Sequence, residues 1–168
     1  MKTIYAVIVI SLVVFFSISC SSLHYSIKRN QDYTKKLAVD LYNKNGNAFY
    51  LYSTYSTFST VWSYNDETVE LYRLQKGFVR QKQLYKEKGI KQYTKVCMDD
   101  IEKEICKQCV LELDGDYLGF VIESDGIMHN HCFSVDLDCL KKGKFQSNFL
   151  NTLFNDIIIY KMWDIDYQ

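Results

Sequence analysis

Six cysteines and three histidines are the residues of this 168-residue chain with the most chemistry to offer. Cys97, Cys106, Cys109, Cys132 and Cys139 crowd into one stretch, while Cys20 stands apart near the start. Cys106-Lys107-Gln108-Cys109 has the spacing of a dithiol redox motif. Such a motif works at a helix N-terminus, where the dipole favours the thiolate. Here it closes an expected helix, so the dipole acts the wrong way. Cys106 and Cys109 with His129 and His131 also form a set that zinc could take, the two histidines falling on one side of a strand. In an exported chain, structural disulfides are the stronger expectation. No metal and no cofactor are therefore expected. Glu112, Asp114, Asp116 and Glu123 mimic a calcium-loop spacing, but Tyr117 stands where the loop needs glycine. No serine-protease motif, nucleophile elbow, phosphate loop or HExxH occurs.

The case for export rests on the opening segment. Met1-Lys2 is followed by Thr3–Leu23, a run without charge whose centre is almost wholly apolar and whose end carries Ser17, Ser19, Ser21 and Ser22. This layout predicts a secretory signal peptide over 1–22, cut between 19 and 23, and a single domain over 23–168. A secreted or extracytoplasmic location follows. Two rivals stand beside it. The run is about 21 residues, just enough to span a bilayer core of roughly 30 Å as an uncleaved anchor. Cys20 could also be lipidated after cleavage. A membrane partner is expected only in those two cases.

About 145 residues beyond the segment suffice for one hydrophobic core. At 48% hydrophobic and 24% charged residues the chain is globular rather than disordered. The net charge is zero but blocked. Arg73–Lys95 is basic, with Arg80 and Lys82 at its centre, and Asp99–Asp116 is acidic. Two solvated faces that complement each other within one fold explain such blocks, and a basic face for an acidic partner is the functional alternative. With export and no nucleic-acid motif, nucleic acid is not an expected partner.

Hydrophobic period organises the rest. Helices are expected over Asp32–Lys44, Tyr93–Lys107 and Phe145–Trp163, the last carrying the broadest apolar stripe. Asn47–Tyr64 has strand composition, as two short strands or one long bent one. Further strands are expected at Thr68–Leu74, Phe78–Tyr85, Cys109–Leu113, Tyr117–Glu123 and His131–Leu137, with turns at Gln75-Lys76-Gly77, Asp114-Gly115 and Asp125-Gly126. The order is helix-βββ-helix-βββ-helix. It predicts an α+β domain of two layers, a mainly antiparallel sheet of about six strands in two meanders covered by the C-terminal amphipathic helix.

That frame bears on the cysteines. Cys97 and Cys106 lie about 13 Å apart along one helix, too far to bond each other. A Cys109–Cys132 link across the second meander is feasible, and Cys97 or Cys106 could reach Cys139. Two bridges among the five are expected, with the pairing open.

The function expected is non-catalytic. A small secreted, disulfide-stabilised protein would bind an extracellular protein or glycan through the basic hairpin at Arg80 and Lys82, or through the tyrosine-rich strands. Core packing accounts for most of those aromatics; if some are exposed, Tyr50, Tyr52, Trp62 and Tyr64 are the candidates, taken to share a face. A secreted hydrolase would need a pocket joining a nucleophile or a carboxylate pair to His129 or His131. A lumenal or envelope protein tethered by the uncleaved opening segment is the other alternative.

Overall fold

The computed structural model describes residues 2–65, 67–86, 97–109 and 115–163, with side chains described from Ser22 onward except that of Gln108. Its first element is one helix, α1 (Lys2–Asn45). The expectation began a helix only at Asp32. The chain has no proline and its first glycine is Gly46, so nothing in the composition breaks the helix earlier. Gly46 then takes a positive φ of 77° and its N–H caps Tyr42 O at 2.7 Å.

The strands follow as β1 (Asn47–Ser53), β2 (Phe58–Tyr64), β3 (Thr68–Gln75) and β4 (Phe78–Lys86). The tyrosine-rich stretch is thus two strands. After α2 (Met98–Gln108) come β5 (Asp116–Ser124), β6 (Ile127–Val135), α3 (Leu137–Lys142) and α4 (Asn148–Ile159). The fold is α+β, with a six-stranded antiparallel sheet in the order β4-β3-β2-β1-β5-β6. Of the strand expected at Cys109–Leu113, residues 110–113 lie outside the described residues, as do the acidic positions Glu112 and Asp114. Leu137 opens α3 instead of ending a strand, because Asp136 caps that helix by accepting from Asp138 N and Cys139 N.

Both two-residue hairpin turns have positive φ at each central residue, Lys76-Gly77 and Asp125-Gly126. Such turns match the twist of the strands they join, and their registers follow. Val69, Leu71, Phe49, Trp62, Tyr64, Leu118, Phe120, Ile122 and Phe133 point to one face, where Ile101 and Ile105 of α2, Leu140 of α3 and Leu150, Leu153 and Ile157 of α4 cover them.

The sheet has a second cover, so the domain has three layers rather than two. On the opposite face, Ala48, Tyr50, Tyr52, Val61, Leu74 and Val121 meet Ala38 and Leu41 of α1. The helical turns nearer the N-terminus bury polar groups instead: Asn30 and Thr34 are both fully buried. A stripe of Asn30, Thr34, Ala38 and Leu41 is only half apolar, which hides this contact from a reading of hydrophobic period.

Candidate interaction surface

The expected site residues fall into three groups. Tyr50, Tyr52, Trp62 and Tyr64 are core residues, none more than 7% exposed. They do not share a face. Phe49 is paired with Trp62 and Tyr50 with Val61, so Trp62 and Tyr64 lie under α2–α4 and Tyr50 and Tyr52 under α1. Successive residues of a strand alternate faces, and the register between β1 and β2 decides which sets meet. The expectation of an exposed aromatic row on these four is therefore corrected. Tyr52 stacks between Tyr50 and Tyr117, with ring centroids 6.0 and 5.1 Å apart. Burial pushes the Tyr50 and Tyr52 hydroxyls above the usual phenol range, and the neighbouring Cys132 thiol adds to it.

The cysteines form the second group. Cys109 at the end of α2 is bonded to Cys139 in α3, with Cα atoms 5.6 Å apart. This joins two of the helices that cover one face. Cys132 is paired with Gly119 on β5 and packs with the α1-side cluster, on the other side of the sheet from Cys109. A Cys109–Cys132 bridge is excluded by that placement. Cys97 and Cys106 are exposed free thiols and Cys132 is a half-buried one, so one of the two expected bridges is present among the described residues. The same bond removes Cys109 from the zinc set with Cys106, His129 and His131. No group of three or more potential metal ligands occurs among the described residues.

His129 and His131 sit on β6 opposite Ile122 and Phe120. A cleft of about 270 Å³ opens near the β1–β2 connection, lined among others by Ser53, Tyr55, Ser56, Asp116 and Trp163. Burial pushes the Asp116 carboxyl above its usual range, against a hydrogen bond from Ser53. Neither histidine lines this cleft. Phe120, opposite His131, lies four steps along β5 from Asp116, about 13 Å along the strand.

Arg80 and Lys82 are the third group, and both are exposed. They lie on β4, one edge of the sheet. Its residues Phe78–Lys82 are all exposed, as are Leu84 and Lys86. Arg80 falls at the irregularity where Arg73 is paired with Gln81 and Leu74 with Val79. Beyond it, Lys82, Leu84 and Lys86 share the α1 side of the sheet, opposite Tyr72, Glu70 and Thr68. Lys82 Nζ lies 5.2 Å from the centre of the Tyr72 ring. Glu70 is only 5% exposed. Burial pushes its carboxyl up, but hydrogen bonds from Lys44 and Tyr72 outweigh this and hold it below the usual range.

The acidic block is used elsewhere. Asp99 and Asp100 lie in the first turn of α2, where a helix dipole favours negative charge. Glu104 accepts from the backbone N–H groups of Gln146 and Ser147, ahead of α4.

Leu84 and Lys86 were not singled out by the sequence, and neither was Arg29, whose guanidinium covers the Phe78 ring at 4.4 Å. The signal in the sequence was the density of cations in the second hairpin; that β4 is an edge follows only from strand order. No family model, curated protein or solved structure matches the chain.

Proposed function

We propose that this chain is a non-catalytic interaction protein of an extracytoplasmic compartment that binds an acidic extracellular protein along the open edge of β4. The observation that carries this reading is the edge itself. Nine residues, Phe78–Lys86, form an edge strand that pairs only with β3 among the described residues, with Lys82, Leu84 and Lys86 projecting on one side. Folded proteins blunt exposed edges with lysine to prevent pairing between like copies. The same lysines favour a strand whose carboxylates recur at every second residue, since same-face positions on neighbouring strands lie opposite each other. The Cys109–Cys139 bond supports the oxidising compartment.

The test is an amide-resolved titration of the protein with an extended peptide alternating glutamate and valine. Shifts should concentrate on β4, and Lys82→Glu with Lys86→Glu should weaken binding at least about tenfold, on the scale of two lost charge pairs. Shifts caused by a sulfated glycan and not by the peptide would assign the edge to a glycan instead. No shift on β4 with either would overturn the reading.

A further inference from the structure

The inference concerns the end of the domain from which α1 emerges, and it does not rest on the β4 partner. Three contacts fix which end that is. Asn45 Nδ2 donates to Ser63 Oγ, while Thr34 and Asn30 both reach Ser59 Oγ, at 2.5 and 2.9 Å. Running back along α1 from Asn45 to Asn30 therefore tracks β2 from Ser63 to Ser59. At the same level, Gly77 N donates to Asn30 Oδ1 at 2.9 Å and Arg29 lies on Phe78. Lys76 N donates to Thr57 O at 2.8 Å, which brings in the β1–β2 connection. The tips of both turns thus form one pole around the emerging helix.

No linker separates this pole from the uncharged run. The run ends at Leu23, and α1 is continuous through it. Leu23 to Asn30 is about 10 Å of helix. The headgroup layer on each side of a bilayer core is about 5–7 Å thick. If Thr3–Leu23 spans the core, the pole is held at the outer boundary of the headgroups. No helix among the residues described with side chains, from Ser22 onward, is long and apolar enough to cross a membrane, so any span would have to be this run.

The pole has the composition that this depth calls for. Leu23, Tyr25, Tyr55 and Phe78 are 53%, 67%, 70% and 51% exposed. Lys28, Arg29 and Lys76 are exposed beside them. A cleft of about 460 Å³ on the outward side of α1 is lined by Tyr25, Lys28, Arg29, Asp32, Tyr33 and Lys36. Aromatic rings with polar tips, and cations on apolar stems, are the side chains that settle at a membrane–water interface. Exposed apolar surface of this kind otherwise costs solubility.

We propose that Thr3–Leu23 remains attached as a membrane anchor and that the pole formed by Tyr25, Tyr55, Phe78, Lys28, Arg29 and Lys76 seats on the lipid headgroup layer, with anionic lipid preferred. Seating directs β4 away from the surface. Leu84 lies six residues beyond Phe78, about 20 Å further along the strand.

Quenching by brominated phosphatidylcholine tests this on the full chain in vesicles. Trp163 lines the cleft beside Tyr55 and is replaced by Phe, and Trp62 is fully buried. In that background Phe78→Trp should lose emission, as an interfacial residue does, while Leu84→Trp should be unchanged. Adding phosphatidylglycerol should deepen the quenching at Phe78→Trp, and Lys28→Glu with Lys76→Glu should remove that gain. Quenching equal at both positions, or absent at Phe78→Trp in an intact vesicle-bound chain, would overturn the seating. A mature chain whose mass lacks residues 1–22 would overturn the anchor. Labelling of the exposed Cys97 and Cys106 with an impermeant maleimide reports separately on which side of the membrane the domain lies.

Discussion

On the face covered by α2–α4, the Phe49 ring meets those of Trp62, Tyr64, Phe120 and Phe149 at centroid distances of 5.6–6.0 Å. On the face covered by α1, Asn30, Thr34 and Ser59 exchange hydrogen bonds while fully or almost fully buried. The first face is held by burial of large rings, which is strong and tolerant of orientation. It even accommodates Trp62 Nε1 with no hydrogen-bond partner among the described residues. The second is held by directional bonds, each modest in net effect but costly to leave unmade. Apolar packing fixes the helices near the sheet, whereas Asn30 fixes where α1 sits along it. It binds Ser59 on β2 and the Gly77 amide in the β3–β4 turn at once. The helix that emerges from the domain is thereby registered to the turn tips at the emerging pole.

The comparison breaks most readily at Phe49. Phe49→Ala should cost about 3–5 kcal/mol in chemical denaturation, the range for deleting a large buried ring. A loss no greater than for a polar substitution on the other face would mean the aromatic core is not the main source of stability. Asn30→Ala should cost about 1–3 kcal/mol, because it strands the Gly77 N–H and deprives Ser59 of a donor. Its signature is local: hydrogen exchange should accelerate at Gly77 far more than at Phe120. Uniform acceleration would assign Asn30 a global role and erase the distinction between the faces.

Much of the ring-packed face was legible in the sequence. The apolar stripe expected over Phe145–Trp163 and the alternation in β3 are periodic signals; the stripe's Phe149, Leu150, Leu153, Phe154 and Ile157 are buried, whereas its Ile158 is exposed. The α1 face was not. Its contacts depend on Asn30, Thr34 and Ser59, residues whose types read as solvent-facing, and on a register that sends Tyr50 inward over Gly119. A Cβ at Gly119 would come within 1.9 Å of the Tyr50 ring, a fit no single-strand pattern announces. The same gap placed Trp62 with Tyr50. Alternation fixes the parity within each strand, but the parity between β1 and β2 is set by the four-residue connection Thr54–Thr57. The edge status of β4 was hidden for a related reason: strand order is a property of the whole sheet. Arg80 and Lys82 survive as surface candidates because a dense run of cations seldom buries.

Two carboxylates give the finest test, because the two faces shift them in opposite directions. Glu70, on the α1 side, is held below its ordinary value of 4.5: burial opposes ionisation, but bonds from Lys44 and Tyr72 overcome it. Asp116 precedes Leu118 and Phe120 on the other side, and burial pushes it above its ordinary 3.8. A depressed pKa adds stability that is present above 4.5 and lost as pH falls through the folded value. A raised carboxyl pKa does the reverse: stability is lost as pH rises from 3.8 through the folded value. Glu70→Gln should therefore lower the melting temperature at neutral pH, and the deficit should vanish in acid. Asp116→Asn should raise it at neutral pH, by less because this carboxyl is half in solvent, and that gain should also vanish below pH 3.8. Thermal melts across pH check both at once. Difference curves of the same sign would show that the polar face does not stabilise its buried charge, and that the bonds from Lys44 and Tyr72 merely offset part of its burial.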